Sequence, residues 1–160
     1  MILKVLLAGD GGQGVQTMAD LICRTAFAKN LEVTHIPNYG LEQRGGASLS
    51  FIQISDDKIG YPKFSQADLL VILSNQGRER SLQYQIDSTK IIDVKELKNE
   101  IEDKKINLQN LNIFFLVLIV KIFEEKNIFT AADLYVQAEE KLSKKSNWSE
   151  IREIIKINIK

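Results

Sequence analysis

Cysteine and histidine occur once each in these 160 residues, as Cys23 and His35. A lone cysteine makes no internal disulfide and cannot hold an iron–sulfur cluster by itself. A lone histidine excludes His-rich metal centres, and a nucleophilic triad would depend on His35 alone. Neither G-x-S-x-G nor C-x-x-C occurs, and the lysine of a P-loop is missing, because Gly14 is followed by Val15. An excess of charge is also absent, with 21 Lys plus Arg against 21 Asp plus Glu, so there is no reason to expect nucleic acid or an acidic membrane surface as partner. The longest apolar run, Ile113 to Val120, has eight residues and is far short of a membrane span. No signal peptide opens the chain, since only a few apolar or small residues separate Lys4 from the first glycine turn. These absences lead us to expect a soluble, cytoplasmic protein.

What is present is an ordinary globular composition, 44% apolar. The length suits one domain with a real core and is too short for two comfortable ones. We therefore expect one domain over residues 1–160, with a core in 1–95 and a C-terminal helical part in 96–160. Cys23 lies within a helical stretch and reads as a small buried hydrophobe. His35 reads as a packing or hydrogen-bonding residue at a strand end, not as an acid–base catalyst.

The chain is organised around Gly9-Asp10-Gly11-Gly12-Gln13-Gly14. An apolar strand, Ile2 to Ala8, precedes it. Val15 to Ala28 follows as a helix, with Val15, Met18, Ala19, Ile22 and Ala26 on one face. The spacing fits G-x-G-x-x-G, in which glycines let backbone N–H groups approach an anion at a helix N-terminus. Dinucleotide binding further expects an acid at the end of the second strand. In Glu32-Val-Thr-His-Ile-Pro37 the acid stands at the start, and Asp10 puts a negative charge into the turn itself. The same glycines also serve a tight turn and close helix–sheet packing.

A second glycine stretch runs from Pro37 to Gly46 and is followed by an alternating strand, Ala47 to Ser55. That loop is too short for a parallel crossover, so the third strand is expected antiparallel to the second. Leu69 to Leu73 reads as a buried central strand, and Lys90 to Val94 as another. A polar helix is expected between them, to about Ile86. Asp93 and Glu96 suggest a cap for a helix over Lys95 to Lys104. Leu108 to Glu125 is apolar all round, a helix buried against the sheet or a partner. Thr130-Ala-Ala-Asp133 opens a further helix, and Trp148 to Lys156 reads as a last one, although Ile155, Ile157 and Ile159 also alternate as in a strand. The fold class that follows is α/β: a three-layer α/β/α, Rossmann-like domain with a mixed, mostly parallel sheet.

Within the second loop, Arg44 offers a planar fork for carboxylate or phosphate, and Glu42 could pair with it locally. If the strands before the two glycine stretches are neighbours, the loops share an edge where α/β proteins tend to bind ligands.

Taken together, Gly9-Asp-Gly-Gly-Gln-Gly-Val15, Tyr39-Gly-x-Glu42-x-Arg44-Gly-Gly46, Ile54-Ser-Asp56, Ile59-x-Tyr-Pro62 and Ala67-Asp68 before an apolar strand resemble the gamma subunit of the 2-oxoacid:ferredoxin (acceptor) oxidoreductases. The likeness covers roughly residues 2–95 by motif, and the apolar helix after Asn107 more loosely. The resemblance implies a subunit of a complex that decarboxylates a 2-oxoacid (pyruvate, 2-oxoglutarate, a branched-chain acid or indolepyruvate). The acyl group passes to coenzyme A and the electrons to ferredoxin. It implies that thiamine diphosphate, Mg and iron–sulfur clusters belong to partner subunits, alpha, beta and in some members delta, and that this chain binds none of them alone. Gly9, Gly11, Gly12, Gln13 and Gly14 of the first loop, with Tyr39, Glu42, Arg44, Gly45 and Gly46 of the second, become candidates to meet coenzyme A or a partner. No catalytic residue is assigned. A homodimer or stable complex is expected, from apolar surface around Phe114 to Val120 and Trp148. Two alternatives stand beside this reading, a free-standing dinucleotide-binding oxidoreductase and a pure protein-interaction module.

Overall fold

Strand β1 (Ile2–Asp10) carries the architecture, with neighbours of opposite sense on its two sides. In the computed structural model, which describes residues 1–39 and 45–159, β1 pairs antiparallel with β3 (Ala47–Ser55), from Ile2 opposite Ser55 to Asp10 opposite Ala47. On its other side it runs parallel to β4 (Leu69–Ile72), which in turn pairs with β5 (Lys90–Asp93). Strand β2 (Glu32–Tyr39) is antiparallel to β3 and forms the outer edge, giving the order β2-β3-β1-β4-β5. Among the described strands, β3 alone is reversed. The antiparallel hairpin expected from the short loop is present, and the strands before the two glycine stretches are separated by β3 instead of being neighbours.

Period-2 alternation sorts the side chains onto two faces. Leu3, Val5, Leu7, Ile52, Ile54, Leu69 and Val71 point into the larger core. There they meet α1 (Val15–Ala28), α4 (Leu111–Glu125), α5 (Ala131–Leu142) and α6 (Trp148–Lys156). Leu6, Ala8, Leu49, Phe51, Leu70 and Ile72 point the other way. That face has a thinner cover, including Phe64 from the 56–68 segment and Tyr84 from a 3-10 turn (Leu82–Tyr84) after the short α2 (Asn75–Ser81).

Helix α4 buries ten residues, Phe115 and Phe123 completely, against α1, α5 and α6. Its all-round apolar surface is thus largely absorbed inside the chain, and Trp148, half-buried against Tyr135, adds little exposed area. The interface expected from Phe114 to Val120 loses its basis for that reason. Cys23 packs against the core, and burial pushes its thiol up to about 12, so the thiolate is scarce at neutral pH.

The capping box of α5 forms as read: Asp133 N–H donates to Thr130 Oγ1 and Thr130 N–H to Asp133 Oδ2. The segment after Leu142 ends in a helix, with Ile151 and Ile155 one turn apart and buried, so the strand alternative fails. The cap expected at Asp93 does not form. Helix α3 is shorter (Lys98–Asp103) and starts after Leu97; the Asp93 carboxylate accepts from the Lys95 N–H in the turn that precedes it and is shared with Arg78.

A polar cluster sits between α1, β2 and β3. Gln16 Nε2 donates to Ser48 Oγ (3.0 Å) and Leu49 O (3.1 Å), and Ser50 Oγ donates to Gln16 Oε1 (2.7 Å). His35 Nε2 lies 3.1 Å from Ser50 Oγ and 3.2 Å from Gln16 Oε1. Since the Ser50 proton goes to Gln16, the protonated Nε2 tautomer fits both contacts. Burial lowers the His35 pKa below its ordinary 6.5 and the Asp20 charge opposes this only in part. The folded ring is therefore neutral where the unfolded one takes a proton. Its contribution to stability is present above about pH 6.5 and is lost as pH falls from there toward the lowered folded pKa. Melting temperatures measured between pH 7.5 and 5.5 should fall more steeply for the wild type than for His35→Gln, which keeps an N–H donor without titrating. Parallel slopes would show that His35 carries no linkage.

Candidate functional site at the glycine loops

The turn after β1 is built inward from Gln13. Its Oε1 accepts from Asp10 N–H (2.7 Å) and its Nε2 donates to Leu73 O (3.2 Å), tying the loop to the end of β4. Gly12 and Gly14 adopt positive φ, 88° and 79°, where a Cβ is strained. Gly14 has a second constraint, since a Cβ there would fall 2.4 Å from Asn112 Nδ2 on α4. A Cβ at Gly12 would meet open space, so the loop exposes its backbone there. Helix α1 starts at this turn with no side-chain cap and no acid in its first turn. Its first N–H groups are orphan donors at the positive end of the helix dipole.

The two glycine loops meet. Gly11 N–H donates to Gly46 O at 2.7 Å, although β3 lies between β1 and β2. Gly45 has φ 76°, and its carbonyl accepts from Gln76 Nε2 of α2 (3.2 Å). The structure thus gathers Gly9, Gly11, Gly12, Gln13, Gly14, Gly45 and Gly46 at one edge of the sheet. Tyr39 is exposed at the end of β2. Gly40, Glu42 and Arg44 lie outside the described residues. Gln13 is consumed in bracing the turn, which leaves the backbone donors as the loop's ligand-facing chemistry.

Helix α2 provides the third wall. Gly77 sits so close to β1 that an added Cβ would fall 2.7 Å from the carbonyl of Ala8 and from Gly9 N. Ser74 caps the helix by accepting from Gly77 N–H (2.9 Å). The guanidinium of Arg78 grips both oxygens of Asp93, with Nε to Oδ2 at 2.7 Å, and donates to Asn75 Oδ1 (2.7 Å). Burial raises the Asp93 carboxyl, but the Arg78 bond and the Lys95 N–H outweigh it and hold the group below the usual range. This pair anchors α2 to β5. Its geometry is fork-on-fork, the strong form of such a contact.

Asp10 gives the edge its negative charge. Its Oδ1 is buried and has no hydrogen-bond partner among the described residues. Gln76, Asn112 and the Arg78–Asp93 pair were not singled out from sequence. Asn112 had a visible signal, a polar residue near the start of the most apolar helix. The other residues carried none, because their role depends on α2 crossing the end of β1.

The profile of the pyruvate ferredoxin/flavodoxin oxidoreductase family matches residues 4–117. The chain belongs to that family. A 2-oxoglutarate synthase subunit KorC of Methanocaldococcus jannaschii is 40% identical over 78 residues, 48% of this chain and 42% of that protein. A ketoisovalerate oxidoreductase subunit VorA of Methanothermobacter thermautotrophicus is 38% identical over 72 residues, 45% of this chain and 15% of that protein. The aligned region therefore spans less than half the length of these relatives. In fold, the chain is similar to the gamma subunit of a keto/oxoacid ferredoxin oxidoreductase from Geobacter sulfurreducens. That match has a TM-score of 0.76 at 14% identity and covers 99% of this chain and 94% of that one. It is also similar to part of a 2-oxoglutarate:ferredoxin oxidoreductase from Magnetococcus marinus, with a TM-score of 0.73 at 17% identity, covering 98% of this chain and 30% of that one.

Thiamine-bound Mg and iron–sulfur clusters, which family membership brings into question, do not fit the donor set here. No group of three or more His, Cys, Asp or Glu side chains gathers among the described residues, and the chain has one cysteine. A phosphate-bearing group fits better, at the uncapped start of α1.

Gly77→Ala tests how tightly α2 is pressed on the edge. Alanine favours an exposed helix by about 1 kcal/mol, whereas overpacking against backbone costs about 1–3 kcal/mol. Because the obstructing atoms are backbone, overpacking should win, and the urea midpoint should fall. A raised midpoint would mean that α2 yields freely and does not fix the edge.

Proposed function

We propose that this chain is a gamma-type subunit, acting as one domain over residues 1–160, of a complex that oxidatively decarboxylates a 2-oxoacid to an acyl-CoA. On this reading thiamine diphosphate, Mg and iron–sulfur clusters are held by alpha, beta or delta partners in the cytoplasm, and ferredoxin receives the electrons through the complex. The observation that carries the proposal is the Gly11–Gly46 hydrogen bond, which fuses both family motifs into one surface at the uncapped start of α1. That surface offers backbone donors to an anion. Coenzyme A is the anionic co-substrate of this chemistry, and its phosphates match the donors. The chain's part is to bind and orient. Gly12, Gly14 and the first turn of α1 present N–H groups, while Gln13, Gln76 and the Arg78–Asp93 pair keep the walls in place.

Asp10 opposes a phosphate at this turn, and Arg44 is the cation that the second motif supplies to offset it. The free-standing dinucleotide reading gains no support from the topology. Its ribose-binding acid belongs at the end of a strand adjacent to β1, and here β3 occupies that place while β2 ends in Tyr39.

Two measurements test the proposal. The pure chain should be colourless and should not reduce a viologen dye with any 2-oxoacid, whereas the chain assembled with thiamine- and cluster-binding partners should. Turnover by the pure chain would overturn the subunit reading. Arg44→Ala in the assembled complex should remove a charge-assisted contact of about 1.5–3 kcal/mol. The KM for coenzyme A should then rise about 10- to 150-fold if the contact is to the coenzyme. If it is to a partner carboxylate, assembly should weaken instead, more so with added salt. Unchanged kinetics together with unchanged assembly would remove Arg44 from the site, since an exposed local pair is worth only about 0–1 kcal/mol.

A further inference from the structure

On the sheet face turned away from α1, the ring of Phe51 meets Phe64 (centroids 5.3 Å apart, 63°) and Tyr84 (5.0 Å, 76°) edge to face. Two adjoining hollows of about 310 and 520 Å³ open around this trio and share Lys63, Phe64 and Tyr84 as walls. Ile36, Phe51 and Asn38 line the first, and Lys4 and Tyr61 the second. The cleft shares no residue with the glycine loops.

Its charge is one-sided. Lys4 and Lys63 line it, no acid does, and neither lysine forms an ion pair among the described residues. The outer wall is fastened to the sheet, because the buried Gln53 donates from Nε2 to Tyr61 O at 2.7 Å. A second observation points to a polar occupant. The hydroxyl of Thr34 is buried without a partner among the described residues. By register Thr34 lies opposite Gln53, on the same face as Ile36 and Phe51. Buried hydroxyls are normally satisfied, and this orphan, on the same face and two residues along β2 from the cleft-lining Ile36, calls for a polar partner such as an ordered water or a ligand atom.

We propose that this cleft binds a small planar aromatic anion, its ring against Phe64 and Tyr84 and its carboxylate or phosphate beside Lys63 and Lys4. Ligand sites of this size combine apolar walls with a few convergent polar groups. The Asp68 carboxylate accepts from the Lys4 backbone N–H but neither lines the cleft nor pairs with either lysine, so the two ammonium groups disfavour a cation and add nothing for a neutral ring, whereas an anion gains from both. Aromatic walls favour a flat ring over a branched aliphatic chain, through offset or edge-to-face contact.

The test uses the full chain, calorimetry and three probes: 2-naphthoate, its neutral analogue 2-naphthamide, and adenosine monophosphate. At least one anion should bind with a Kd below about 1 mM. Which anion binds tells a carboxylate site from a phosphate site. 2-Naphthamide should bind at least about tenfold more weakly than 2-naphthoate if the carboxylate is the ligand group. Lys63→Ala, a change at an exposed side chain, should weaken the bound anion about tenfold, with Lys63→Arg restoring most of it. Phe64→Ala should weaken it further, with circular dichroism checking that the fold survives. The proposal is overturned if neither anion binds up to 10 mM (roughly −3 kcal/mol), if the bound anion is indifferent to Lys63→Ala, or if naphthoate binds and naphthamide matches it.

Discussion

Residues 40–46 are too few to carry a chain from the end of one strand back to the start of a parallel neighbour. After β2 the chain can therefore only turn back as a hairpin, and β3 is reversed. The remaining topology follows from where β3 then goes. Its nine residues are all buried, so it needs partners on both edges, and it takes β1 as the second. That placement brings Gly46, just before the start of β3, beside the turn after β1. The hydrogen bond from Gly11 to Gly46 is the local consequence.

The precision of an edge assembled this way comes from close backbone contacts. Gly77 lets α2 press against Ala8 and Gly9, and Gly14 lets α1 begin beside Asn112. Each contact is so close that a methyl group would displace one of the walls. The polar links above and below serve the same end. Gln13 spans the turn and the end of β4, Gln16 joins α1 to β3, and Arg78 fixes α2 to β5. Three elements that are distant in sequence are held at fixed separations by amide and guanidinium groups.

The sheet was legible in the sequence because its signals are local. Period-2 runs, a glycine turn and a loop length suffice for the strands and for the antiparallel pair, whereas the meeting of the two loops was expected only if β1 and β2 were neighbours and comes about instead across β3. The Thr130–Asp133 box was legible for the same reason. Asp93 was read as the cap of a helix over Lys95 to Lys104; it does bond the Lys95 N–H, but the regular helix begins only after Leu97 and the carboxylate is shared with Arg78 on another element. Helix α4 was judged to need a partner because sequence shows that a surface is apolar but not that α5 and α6 return to cover it. The roles of Gln76 and Asn112 were out of reach for a related reason, since a polar residue that braces a loop looks like any surface amide until the fold brings the loop to it.

Asp10 is the point where the physics of the edge is most demanding. An uncapped helix start and a glycine turn favour an anion, and a hydrogen bond to a charged group is worth about 1.5–3 kcal/mol. A carboxylate about 6 Å from a bound phosphate, at an effective dielectric near 20, opposes it by roughly 3 kcal/mol per unit charge. One donor is therefore cancelled by Asp10, and two or three are not. The turn can hold a phosphate only if several N–H groups act together or a cation neutralises Asp10. Candidates for the first are the N–H groups of Gly12, Gly14 and the uncapped start of α1. The second motif provides a candidate for the other in Arg44, carried by the loop whose far end Gly11 already holds. On this view the two motifs are electrostatically coupled as well as adjacent. Either several N–H groups acting together or Arg44 as the cation would offset the carboxylate, so the two motifs together would hold an anion more tightly than the first alone.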